Sequence, residues 1–198
     1  MRRDLINSAL AIAVFTLLLG LAYPLLTTGV AQLAWPNKAD GSQIERDGEA
    51  VGSRLIGQDF SGRGGARYFQ SRPSVTEYSP NATFFNNLGP NNAELRALFE
   101  ENLAAYLERE RPFNPELEPG DVPPDAVQTA SSGVDPHISP ANAEIQAPRV
   151  AEERGLELAR VLELVEENTD NRSLGVFGEA GVNVLELNLA LDDEGSSR

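Results

Sequence analysis

From Leu5 to Leu26 nearly every side chain is apolar, and no Asp, Glu, Lys or Arg interrupts the chain between Asp4 and Lys38. A helix over that run, at about 1.5 Å per residue, reaches about 33 Å, enough for a hydrocarbon core of about 30 Å. Lipid offers no partner to an unpaired backbone group, so the run predicts a membrane-spanning helix. Arg2 and Arg3 precede it and Lys38 alone follows closely, which places residues 1–4 in the cytoplasm and sends everything after Trp35 to the far side. The expected organisation is a span over 5–30, a linker over 31–40, an extracytoplasmic domain over 41–191 and a polar tail over 192–198. A second reading is a signal peptide cut after the small-x-small site Gly29-Val30-Ala31, although the apolar run exceeds the usual 7–15 residues.

Beyond the anchor the pattern changes to short pieces between turn formers. Ser53–Gly57 and Arg67–Gln70 read as short strands between glycines. Leu95, Leu98, Phe99, Leu103, Tyr106 and Leu107 recur at helical spacing behind Asn91 and Asn92, and Pro112 closes that helix. Phe113–Pro124, with four prolines, predicts an extended surface loop. Ser139-Pro140 opens a further helix, expected to break at Pro148 and to resume as far as Arg154 before Gly155. A helix over 157–167 follows, its stripe formed by Leu158, Val161, Leu162 and Val165. In Val182–Leu191 the alternation of Leu185, Leu187, Leu189 and Leu191 with other residues predicts a strand. Helices and strands without βαβ alternation give an α+β fold class.

Charge narrows the partners. Without its first 37 residues the chain has 14 basic and 29 acidic side chains, a net charge of −15. Such an excess opposes nucleic acid and anionic lipid surfaces alike. It suits a soluble, solvated domain, and a field that gathers cations is the sharper alternative. There is no cysteine, so disulfides, thiol catalysis, thiolate metal sites and cysteine lipidation are excluded.

Little here carries chemistry. Gly62-Arg-Gly-Gly-Ala-Arg67 lacks the lysine and hydroxyl that complete a phosphate loop. Ser132, Asp135 and the single histidine, His137, are the residue types of a hydrolytic triad. They are crowded into six positions, where Gly, Asp-Pro and Ser-Pro equally make a turn and a helix cap. One histidine among scattered carboxylates has no metal-ligand spacing. The acidic pairs Glu100-Glu101, Glu152-Glu153 and Glu166-Glu167 point about 100° apart on helices and read as solvated surface. No catalytic or metal-binding residue is expected.

Taken in order, the motifs resemble the C subunit family of the Kdp potassium-transporting P-type ATPase. They are Tyr23-Pro-Leu-Leu-Thr27, Trp35-Pro36 with Gly41-Ser42, Ile56-Gly-Gln58, Tyr68-Phe69 with Ser71-Arg-Pro-Ser74, and Asn87-Leu-Gly-Pro-Asn91. Thr129-Ala-Ser131 leading to Asp135-Pro-His-Ile-Ser-Pro140, then Gln146, Arg149-Val-Ala151, Arg154-Gly155 and Val182–Leu191 complete the set. The resemblance implies an accessory subunit of a high-affinity potassium uptake complex in the cell (inner) membrane. Its implied partners are a channel-like potassium-binding subunit, an ATP-hydrolysing P-type subunit and a small single-helix subunit. ATP and magnesium then belong to the pump subunit, and potassium is the cargo. The family is also described as a catalytic chaperone that raises the pump's ATP affinity and contacts nucleotide. The topology read from the charges keeps the domain away from cytoplasmic ATP, so an effect through docking is the expected form. Within the motifs, the candidate interface or turn residues are Gln70, Arg72, Pro73, Asp135, Pro136 and His137. The alternatives are a cleaved, secreted binding domain and an extracytoplasmic hydrolase on Ser132 and His137.

Overall fold

The structure, a computed structural model, describes every residue except Arg63, Pro80, Thr83, Phe85, Ser197 and Arg198. Arg63 of the glycine-rich run and the last two residues of the expected tail therefore lie outside the described residues. The chain divides into two compact units, Met1–Ser53 and Arg54–Arg198.

In the first unit one apolar helix runs from Arg2 to Ala34. It consists of α1 (Arg2–Leu17), a π-helical turn at Leu18–Ala22 and α2 (Tyr23–Ala34). The π-turn lies immediately before Pro24, which has no N–H to give the ladder, so wider pairing takes up the defect and the helix continues through it. None of its side chains is buried in protein, and the helix is long and apolar enough to cross a membrane. A short turn α3 (Pro36–Ala39) leads to a hairpin of β1 (Gln43–Arg46) and β2 (Glu49–Ser53). Asp47 and Gly48, at φ 54° and 81°, supply the two left-handed positions of its tight turn. The strand expected at 53–57 thus belongs mostly before Ser53, and the residues after it turn away.

The second unit holds the remaining elements. They are α4 (Ala93–Glu110), β3 (His137–Ile138), α5 (Pro140–Arg154), α6 (Leu158–Glu167), β4 (Thr169–Asp170), β5 (Gly181–Asn183) and α7 (Val184–Ser196). The helix-and-strand mixture agrees with the expected class. β5 is the centre of a small antiparallel sheet ordered β3-β5-β4, pairing His137 with Asn183 and Asp170 with Gly181. Asn92 caps α4 by accepting from Glu94 N at 2.7 Å, and Ser139 caps α5 by accepting from Asn142 N at 3.1 Å.

Several further expectations need correction. Val182–Leu191 is a strand only as far as Asn183; from Val184 it is helix. Asn183 Oδ1 accepts from Glu186 N at 3.2 Å and caps α7, and Leu, Glu and Ala favour the helix that follows. Val184, Leu187, Asn188 and Leu191 are buried at i, i+3, i+4 and i+7, with Leu185 buried beside them. The leucines cover so much of the cylinder that they also satisfy a period of two. Asp192–Ser196, in the polar tail, continues that helix. Pro148 does not break α5; the helix forgoes only the bond its N–H would give to Glu144 O, on an exposed residue that water reaches. The stripe of α6 is Val161, Leu164 and Val165, while Leu158 and Leu162 stand exposed.

Phe113–Pro124 is loop and 3-10 turn, as its prolines require, but not merely surface. Leu117 and Ala126 are buried against Tyr106 and Leu107 of α4, with Val122 packed alongside. Arg67–Gln70 is not a strand in any sheet: Gly65–Arg67 makes a 3-10 turn, Tyr68 is extended, and Phe69 and Gln70 are buried.

Candidate functional site

The buried pair Phe69-Gln70 belongs to no strand, and two side-chain amides meet its backbone groups instead. Asn188 of α7 accepts from Phe69 N at 2.9 Å and donates to Phe69 O at 3.0 Å. Gln146 of α5 accepts from Gln70 N at 2.7 Å and donates to Gln70 O at 3.2 Å. Each amide thus mimics one residue of a β-ladder. Gln70 itself turns inward, its Nε2 donating to Gly65 O and Tyr68 O. Gln146 continues into a buried polar chain through Asn142 to the Tyr106 hydroxyl and Asp125. Burial pushes the Tyr106 hydroxyl pKa far up, so the group stays a donor.

Beside this clamp lies a buried ion pair. Arg149 Nε donates to Glu110 Oε2 at 2.9 Å, and neither side chain exposes more than 1% of its surface. Nη1 donates to Ala66 O and Tyr68 O, and Nη2 to Gln146 Oε1. Burial pulls the guanidinium pKa down and Glu110 opposes that shift.

The second cluster is open to solvent and contains His137. Asp135, Pro136 and His137 form a turn in which Asp135 Oδ1 accepts from His137 N at 3.0 Å. Arg72 Nη1 donates to Asp135 Oδ2 at 2.9 Å. Nδ1 of His137 stands 3.7 Å from Asp135 Oδ1, and Nε2 stands 3.6 Å from Asp170 Oδ2. Arg54 grips Asp170 at 3.0 Å and Glu186 at 3.0 Å. With His137 protonated, charge alternates along Arg72, Asp135, His137, Asp170, Arg54 and Glu186. The Asp135 carboxylate raises the His137 pKa, partial burial opposes this, and Asp170 adds to the rise. Burial of Asp135 works against its ionisation, but the bonds from His137 and the Arg72 charge outweigh it and hold its pKa below the usual range. A hollow of about 420 Å³ opens here between Arg72, His137, Asp170 and Glu179.

The turn is held from behind. Gly57 N donates to Val134 O at 2.8 Å, and a Cβ on Gly57 would lie 2.5 Å from Asp135 O and 2.6 Å from the Tyr78 ring. Only glycine permits that approach. Tyr78 OH donates to Arg72 O at 2.9 Å, and burial pushes its pKa up to about 12. Pro73 O accepts from Ala130 N, and Pro136 O from Val184 N. Ser132 is exposed, and its hydroxyl accepts from Val134 N at 3.1 Å within the local turn.

The six candidate residues fall into separate places. Arg72, Asp135 and His137 share one cluster, Gln70 belongs to the internal clamp, and the two prolines serve as backbone anchors. Sequence reasoning passed over Glu110, Asn188, Asp170 and Arg54. Asn142, Gln146 and Arg149, spaced i, i+4 and i+7 on the inward face of α5, were the visible signal that polar groups are buried there.

A family model described as "KdpC: K+-transporting ATPase, c chain" matches residues 5–193. A potassium-transporting ATPase KdpC subunit from Koribacter versatilis is 44% identical over 194 residues, covering 97% of this chain and 95% of that one. Its counterpart from Mycobacterium tuberculosis H37Rv is 45% identical over 194 residues, with 97% and 99% covered. That from Cereibacter sphaeroides KD131 is 46% identical over 195 residues, with 98% and 97% covered. The match takes in the apolar helix, the clamp, the His137 turn and α7 together, and the chain belongs to the KdpC family, the c chain of K+-transporting ATPases.

Proposed function

We propose that this chain is the accessory, non-catalytic subunit of an ATP-driven potassium uptake complex. It is held in the cell membrane by the helix Arg2–Ala34, with its N-terminus in the cytoplasm and the unit Arg54–Arg198 outside. Its partners are a channel-like potassium-binding subunit, a P-type subunit that hydrolyses ATP and a small single-helix subunit. The observation that carries this reading is the family match over residues 5–193. The 33-residue apolar helix with no buried side chain supports the anchor, and Arg2 and Arg3 before it support the orientation.

The chain acts by assembly. Docked on the pump, it favours one of the pump's conformations and changes its ATP affinity through that equilibrium, without holding nucleotide itself. The polar groups buried in Arg54–Arg198 support such a role, because they fix one rigid shape that a partner can recognise.

The test is a mild-detergent pull-down of the chain, tagged at Arg198, from potassium-starved cells, followed by a potassium-stimulated ATPase assay. Co-purification of a phosphorylatable pump subunit and a large channel-like subunit, with activity, is expected. Recovery of the chain alone and soluble, beginning after Ala31, overturns the reading in favour of a secreted domain.

A further inference from the structure

We propose that His137 is the proton-operated centre of a clasp that closes both ends of the loop 171–180 and loosens as pH rises. The loop leaves β4 at Asp170 and enters β5 at Gly181, and both ends meet the imidazole. Asp170 Oδ2 stands 3.6 Å from Nε2. Gly181 lies against the ring so closely that a Cβ there would be 3.3 Å from His137 Cβ and 3.5 Å from Cδ2. Between these ends the chain carries Leu174, Val176 and Phe177 into solvent, each at least 65% exposed. Within the loop, Ser173 and Phe177 bond reciprocally at 2.9 Å, and Arg172 pairs with Glu179 at 2.6 Å.

The chemistry of the ring makes this a switch. Its two nitrogens face two different carboxylates, Asp135 on the Nδ1 side and Asp170 on the Nε2 side. Neutral imidazole has one N–H and one lone pair, so it can donate to one carboxylate and must present its lone pair to the other. The imidazolium turns an N–H toward each and attracts both carboxylates as ion pairs across 3.6–3.7 Å. The wider charge balance points the same way. Asp135, Asp170 and Glu186 supply three negative charges and Arg72 and Arg54 two positive ones, so protonated His137 makes the set neutral. The other acids lining the hollow are engaged elsewhere: Asp125 accepts from Ser139 and Asn142, and Glu179 is held by Arg172.

The sign follows from the geometry and agrees with the direction of the pKa shift. A histidine whose folded pKa is raised contributes stability that is complete below its unfolded pKa, about 6.5. That contribution is lost as pH rises through the raised folded value. Asp135, with its pKa depressed, stays ionised throughout this window.

Amide hydrogen exchange on the full chain in detergent micelles reads the clasp directly. Protection factors, corrected for intrinsic exchange, are compared between about pH 6 and about pH 8 for Val176 and Phe177, whose N–H groups bond Ser173 O. Protection is expected to fall about two- to fivefold at the higher pH, the range of a half-exposed ion pair. In His137→Gln and in Asp170→Asn it should not change with pH. The imidazole resonances of Asp170→Asn should also titrate closer to the ordinary histidine value. Protection that is flat in the wild-type chain, or that falls equally in Asp170→Asn, overturns the proposal. Asp170 is exposed, so that variant decides the matter if His137→Gln fails to fold.

Discussion

Arg149 is charged and sealed from water, a position that is tenable only because Glu110 and three backbone or amide acceptors surround it. Removing one partner of such a pair leaves the other as an uncompensated buried charge, which costs about 3–5 kcal/mol. Glu110→Gln keeps the shape and removes the charge, and is expected to destabilise the second unit by about that amount, read from thermal unfolding of the full chain. Pairing it with Arg149→Met should restore much of the loss, because the orphaned charge leaves with it. An unchanged melting temperature in Glu110→Gln would show that Arg149 does not need the carboxylate. Nothing local marked this pair in the sequence. Glu110 follows Glu108 and Arg109 on a helix whose other acids face water, and its partner lies 39 positions away.

At the scale of elements, the clamp on Phe69-Gln70 joins α5 to α7 through a segment that belongs to no sheet. Asn188→Ala leaves the Phe69 N–H and carbonyl buried without partners and is expected to cost about 1–3 kcal/mol. Gln146→Ala should cost a similar amount, and the double variant less than the sum, since one displaced segment serves both losses. Denaturant unfolding of the three variants checks this; strict additivity would mean that the two amides hold the segment independently. The same elements define how far the pattern of the sequence could be read. The caps Asn92, Ser139 and Gly155 are local devices, and they were legible. The identity of α7 was not, because leucines at 185, 187, 189 and 191 fit a period of two as readily as they coat a helix, and its cap Asn183 lies at the end of the preceding strand. Leu158 and Leu162 misled for a related reason: an apolar stripe says which residues can be buried, and the packing of α6 on α5 decides which are.

For the whole molecule the proposed topology, with the second unit outside the cell, is tested by accessibility. The chain has no cysteine, so single substitutions report cleanly. Glu101→Cys, at an exposed position of α4, is expected to react with a membrane-impermeant maleimide on intact cells, whereas Arg3→Cys should react only after lysis. The reverse pattern would place the unit in the cytoplasm and allow direct contact with ATP. Because all but two basic residues follow the helix, the orientation depends on the few charges near its ends, and Arg2→Glu with Arg3→Glu should weaken it.

The membrane-length helix, the helix caps, the mixed class and the family were all legible along the chain. Each rests on a pattern that acts over a few residues or on motifs in linear order. What the polar residues do emerges from the folded chain alone. Asn188 meets Phe69 across 119 positions, Arg72 meets Asp135 across 63 and Gln146 meets Gln70 across 76. A buried polar group must find a partner wherever the folded chain brings one, and periodicity contains no record of where that will be.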